Sequence, residues 1–88
     1  MDSLIIYGSH LCPNTLYSII KCKDKGIQFR FKDISANLAD LKEFLTIWSE
    51  DSDKLFQQAK DQGMIGLPLF ILPDGTKTRD LNGVLAQK

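Results

Sequence analysis

The chain has two cysteines, and Cys12 stands where a sulfur could act as a nucleophile. It follows the short apolar run Leu4-Ile5-Ile6-Tyr7, which Gly8 stops, and it directly precedes Pro13. Proline suits the first turn of a helix, where its missing N–H costs nothing. Cys12 is therefore expected at a helix N-terminus, with unpaired amides and about half a unit of positive charge beside it. Both favour the thiolate, and such sites bring cysteine pKa values from about 8.5 into a range of roughly 3.5 to 7.5. The thiolate is the attacking species in thiol–disulfide exchange. The plain alternative is a small apolar side chain at a loop–helix junction. The strand, the glycine and Pro13 around Cys12 favour the reactive reading.

Cys22 cannot serve as a second thiol for Cys12. Ten residues along one helix is about 15 Å of rise, whereas a disulfide needs Cα atoms within about 7 Å. Cys22 reads as a partly buried helix residue. His10, two residues before Cys12, could act on the thiol as an imidazolium, and reads more simply as a solvated loop residue. The spacing of His10, Cys12 and Cys22 matches no zinc-site pattern, so no metal site is expected.

The elements that position Cys12 can be read around it. Leu4 to Tyr7 is too short and too rich in strand formers for a helix, so it predicts a buried first strand. The helix opened by Cys12-Pro13 places Leu16, Ile19 and Ile20 on one inward face and ends at Gly26. Residues 27–32 alternate apolar and polar as a strand does. This is a β-α-β unit, with two parallel strands and a right-handed crossover. A helix over 38–49, capped by Asn37, turns Leu38, Leu41, Leu45 and Trp48 inward with Phe44 beside them. A second helical piece from Asp53 to about Gln62 turns Leu55, Phe56 and Ala59 inward. Residues 67–72 form the third strand, Pro73-Asp74-Gly75 a tight turn, and 76–79 a short polar edge strand. A last helix over 80–87 covers the sheet. Trp48 and Phe44 are expected in the core, and residues 50–53 form a solvated acidic turn.

Bulk properties limit the function classes. Eighty-eight residues make one domain, 1–88. Eleven basic residues balance eleven acidic ones, and nucleic-acid binding normally leaves a basic excess. No apolar run reaches the roughly 18 residues of a membrane span. Asp2 stands where a signal peptide carries positive charge. Two cysteines are too few for a disulfide-stapled secreted domain. The expectation is a monomer in the cytoplasm, with no nucleic-acid or membrane partner.

The segment Tyr7-Gly8-Ser9-His10-Leu11-Cys12-Pro13-Asn14-Thr15 resembles the active-site segment of glutaredoxins, in which a C-P-x-C motif starts the first helix. Gly66-Leu67-Pro68 is similar to the cis-proline segment of thioredoxin-fold proteins, which faces the nucleophile and pairs its backbone with glutathione or substrate. Residues 80–83 lie where glutaredoxins have a glycine-rich turn that helps hold glutathione. The resemblance covers nearly the whole chain, closest to small glutaredoxin-related bacterial proteins. It implies an α/β thioredoxin fold: a four-stranded mixed sheet flanked by helices, with a long helical segment between the second and third strands. Cys12 and Thr15 would be the catalytic positions. Pro13, Leu67, Pro68, Asn82 and Gly83 would bind substrate, and glutathione would be a co-substrate in place of a resident cofactor.

Thr15 departs from the motif, because a dithiol glutaredoxin carries its resolving cysteine there. Its hydroxyl could donate to the thiolate, or it could be a first-turn residue without chemistry. The lysine that often precedes the catalytic cysteine is also missing. The expected activity is monothiol exchange on glutathione mixed disulfides in cell redox homeostasis. Cys12 would take the glutathionyl group from a glutathionylated protein and lose it to glutathione or another low-molecular-weight thiol. A binding module with a degenerate site is the alternative. A glutathione-dependent iron–sulfur carrier is weaker, because glycine usually follows the cysteine where Pro13 stands.

Overall fold

The computed structural model describes residues 3–51 and 54–86. Its elements run β1 (Leu4–Gly8), α1 (Pro13–Asp24), β2 (Phe29–Asp33), α2 (Leu38–Glu50), α3 (Gln57–Asp61), β3 (Leu69–Ile71), β4 (Lys77–Thr78) and α4 (Leu81–Leu85). The strands form one mixed sheet in the order β2-β1-β3-β4. β1 pairs in parallel with β2 and antiparallel with β3, and β3 pairs antiparallel with β4. The expected α/β architecture is present, including the helical stretch between β2 and β3. The expected start of α3 at Asp53 and end of α4 at Gln87 lie outside the described residues.

Strand alternation sorts the core into two clusters, one on each face of the sheet. Leu4, Ile6 and Phe70 pack with Cys22 and Val84 on the side of α1 and α4. Tyr7 and Leu69 pack with Phe44 and Phe56 on the side of α2 and α3. The Phe44 and Phe56 rings meet edge to face, 5.7 Å between centroids. Such a pair contributes about 0.5–1.5 kcal/mol beyond its buried area. Local signals end the elements. The Asn37 side chain accepts from the Asp40 amide at the start of α2, Gly26 takes φ +70 after α1, and Gly75 takes φ +91 in the turn before β4.

Two inward faces differ from the sequence expectation. In α1 the buried residues are Thr15, Ser18 and Cys22, while Leu16 and Ile20 are 44% and 58% exposed. Small side chains let the helix approach the strand closely: a Cβ on Gly8 would fall 2.5 Å from Thr15 Cγ2. In α2 Phe44 is fully buried, whereas Leu38 and Leu45 are 68% and 44% exposed. Cys22 is fully buried rather than partly so, and burial pushes its thiol pKa up. That thiol is packed into the core behind α1.

Tyr7 carries the one buried phenol of the sheet among the described residues. Its hydroxyl donates to Glu43 Oε1 at 2.8 Å, and Lys32 Nζ donates to the same oxygen at 2.6 Å. Burial, and then the Glu43 carboxylate, raise the Tyr7 pKa far above its ordinary value.

Candidate functional site

Cys12 is the N-cap of α1, with extended backbone at φ −100 and ψ 115. Pro13 occupies the first helical position and brings no N–H, so the amides of Asn14 and Thr15 are the open donors of the first turn. The Cys12 side chain makes no capping bond to them. It is a free thiol at intermediate exposure.

The turn carrying Cys12 closes with its own amide, which donates to Ser9 O at 2.9 Å. Side chains from the end of β2 brace it. Ser9 Oγ accepts from the Leu11 amide and shares a hydrogen bond with Ser35 Oγ. His10 Nδ1 lies 2.6 Å from Asp33 Oδ2, and Asp33 Oδ1 accepts from the amides of His10 and Ser35. His10 is thus tied to a carboxylate rather than merely solvated. Burial pushes the Asp33 pKa up, but the Ser35 amide and the His10 ring and amide outweigh it and hold the carboxyl below its ordinary range. Thr15 is fully buried, and its hydroxyl oxygen accepts from the Ser9 amide at 3.3 Å. That bond turns Thr15 toward the end of β1.

The second irregular segment precedes β3. The Leu67–Pro68 peptide is cis, a point the resemblance of residues 66–68 to a cis-proline segment had left open. Neither Leu67 N–H nor Leu67 C=O bonds to a described residue. Arg79 anchors the segment: its Nε donates to Gly66 O at 2.9 Å and its Nη1 to Leu55 O at 3.0 Å. The guanidinium also lies 5.7 Å from the Phe56 ring centroid. A Cβ on Gly66 would fall 3.1 Å from the guanidinium carbon and 3.0 Å from the Phe56 ring, and Gly66 has φ +92. Glycine is required there on both counts.

An open groove of about 440 Å³ runs between the Leu67–Pro68 segment, the first turns of α1 and the start of α4. It is lined by Leu67, Pro68 and Phe70, by Asn14, Tyr17 and Ser18 of α1, and by residues 79–82 at the start of α4. Of the residues singled out from sequence, Leu67, Pro68 and Asn82 therefore come together. Cys12, Pro13, Thr15 and Gly83 do not line the groove, although Asn14 stands two residues beyond Cys12. Asp80 caps α4 by accepting from the Asn82 amide at 3.0 Å. Sequence reasoning passed over Arg79 and Asp33. Arg79 adjoins Asp80 in a charged pair of residues, but its two carbonyl partners are remote in sequence. Among the described residues no three His, Cys, Asp or Glu side chains gather as a metal site, and no helix is long and apolar enough to cross a membrane.

No known family profile matches the chain, and no solved structure matches it. A protein of Haemophilus influenzae described as uncharacterized is 28% identical over 82 residues, which is 93% of each chain. The likeness is nearly full-length, and its description brings no activity with it.

Proposed function

We propose that this chain is a thioredoxin-fold, glutaredoxin-like monothiol oxidoreductase that exchanges thiols through Cys12 on glutathione mixed disulfides. The observation that carries the reading is the place of Cys12. It caps α1, its sulfur is free of the helix amides, and the groove beside the Leu67–Pro68 segment begins two residues on. Open amides and the helix dipole stabilise negative charge at such a position. The sheet order β2-β1-β3-β4, with helices on both faces, is compatible with the thioredoxin fold.

In the cycle, Cys12 Sγ attacks the glutathione sulfur of a mixed disulfide. The protein–glutathione S–S bond breaks and a Cys12–glutathione S–S bond forms. A second glutathione thiolate then attacks that disulfide, and oxidised glutathione leaves with Cys12 again a thiolate. No resolving cysteine is required, and Cys22 is buried away from the site. The working environment of this reading is the cytoplasm.

A glutathionylated peptide with excess reduced glutathione tests the cycle. Release of free peptide over many turnovers is expected from the wild type and from Cys22→Ser, and none above background from Cys12→Ser. Equal turnover by Cys12→Ser would refute the assignment. One observation favours a second reading, a binding module that has lost turnover: the Thr15 hydroxyl accepts from the Ser9 amide instead of supporting the sulfur. Activity that appears only in Thr15→Cys would favour that module.

A further inference from the structure

We infer that His10 is the proton donor to the leaving sulfur in Cys12 exchange, and that Asp33 is its positioning residue. Three observations carry this. His10 and Cys12 belong to one four-residue turn, closed by the bond from the Cys12 amide to Ser9 O at 2.9 Å. A turn of this kind keeps its end Cα atoms less than about 7 Å apart, so His10 and Cys12 are close neighbours along the backbone. Second, a carboxylate only accepts, so His10 Nδ1–H donates to Asp33 Oδ2 at 2.6 Å. That contact orients the ring and leaves Nε2 with no hydrogen-bond partner among the described residues. Third, the imidazole is half exposed while the carboxylate that holds it is largely covered, at 53% and 18%. The ring can therefore meet a disulfide arriving at Cys12 while Asp33 stays in place. Among the described residues the charged group that contacts the ring is Asp33, at the end of β2, and Cys12 lies two residues on in the same turn.

The step rests on the exchange reading above. Cys12 thiolate attacks one sulfur of a disulfide, a new S–S bond forms, and the old one breaks with its electron pair on the departing sulfur. The His10 imidazolium gives its Nε2 proton to that sulfur, so a neutral thiol leaves and a neutral imidazole remains. In the return half-reaction the neutral imidazole takes the proton of the incoming glutathione thiol. Asp33 stabilises the charged ring throughout and forms no bond to substrate.

A proton donor helps only a leaving group that needs a proton, and this makes the idea testable. Oxidised glutathione releases a thiol of ordinary cysteine-like pKa, about 8.5. An aromatic disulfide releases a strongly acidic thiol, which departs as the thiolate. Stopped-flow rates for Cys12 in the Cys22→Ser background would be compared for oxidised glutathione and for the aromatic disulfide dithiobis-nitrobenzoate. His10→Gln should slow the first by roughly tenfold or more, within the span of general acid catalysis, and leave the second within twofold. Asp33→Asn should show the same selectivity to a smaller degree and shift the pH profile of the glutathione reaction. Equal slowing of both disulfides by His10→Gln, or of neither, overturns the proposal. A wild-type Cys12 that takes the aromatic thiol but never glutathione would remove the exchange reading itself, and this inference with it. Matching far-ultraviolet circular dichroism of the variants establishes that the fold is intact.

Discussion

Two irregular segments lie at the same end of the sheet, one after β1 and one before β3, and they are held in opposite ways. The turn before α1 is braced by short polar side chains, Ser9, Asp33 and Ser35, around an exposed imidazole. The segment before β3 is held by two long side chains: Arg79, whose fork donates to the carbonyls of Gly66 and Leu55, and Trp48, whose indole N–H donates to Ile65 O. The first arrangement fixes the turn that carries His10 and Cys12, and the second fixes a stretch of backbone whose Leu67 amide and carbonyl face no described partner. Exposed ion pairs contribute little to stability, whereas hydrogen bonds from a charged group to part-buried carbonyls contribute more. The turn at Cys12 should therefore be sensitive in chemistry and the Arg79 segment sensitive in stability.

Arg79→Met is the strongest way to break that contrast. It removes both carbonyl bonds and the charge over Phe56, and should cost about 2–4 kcal/mol in urea unfolding. Arg79→Lys should recover less than half of this, because an ammonium cannot reproduce the planar fork. A loss below about 0.5 kcal/mol would mean that Arg79 is not the anchor. Gly8→Ala comes next. Its new Cβ would sit 2.5 Å from Thr15 Cγ2 and 2.6 Å from Thr15 Oγ1, an overpacking expected to cost about 1–3 kcal/mol. Adding Thr15→Ala should return part of that loss, which a double-mutant cycle would measure.

The smallest stability effects should come from the turn itself. Asp33 has a lowered folded pKa. Its contribution is present above the ordinary aspartate value of about 3.9 and is lost as pH falls through the lower folded value. Asp33→Asn should therefore flatten the acid limb of the stability profile between those two values. At neutral pH it should cost less than about 1 kcal/mol. Tyr7 gives the opposite sign at the other extreme. Its folded pKa is raised, so its contribution is present below about pH 10 and declines as pH rises further. Tyr7→Phe should abolish that alkaline dependence in a series of urea titrations.

Local rules made much of the scaffold legible. Leu4 to Tyr7, the start of α1 at Pro13, the Asn37 cap and the glycine turns are all set by neighbouring residues. The inward face of α1 was not legible. Hydrophobicity points to Leu16 and Ile20, yet the helix lies so close to Gly8 that only small residues such as Thr15 and Ser18 fit beneath it. That spacing is a tertiary distance, and no periodicity reports it. At the candidate site, Leu67, Pro68 and Asn82 could be picked out by motif and do share a groove. The pairing of His10 with Asp33 depends on the register of β1 against β2, which sets Gly8 beside Asp33. The role of Arg79 depends on where two remote loops come to rest.

The most direct measurement is the intact mass of the wild-type chain after oxidised glutathione, with the modified residue located by peptide mapping. One glutathione per chain is expected, on Cys12 and not on the buried Cys22, and reduced glutathione should remove it. An unmodified Cys12, or an adduct on Cys22 alone, would contradict the assignment of Cys12 as the exchanging thiol.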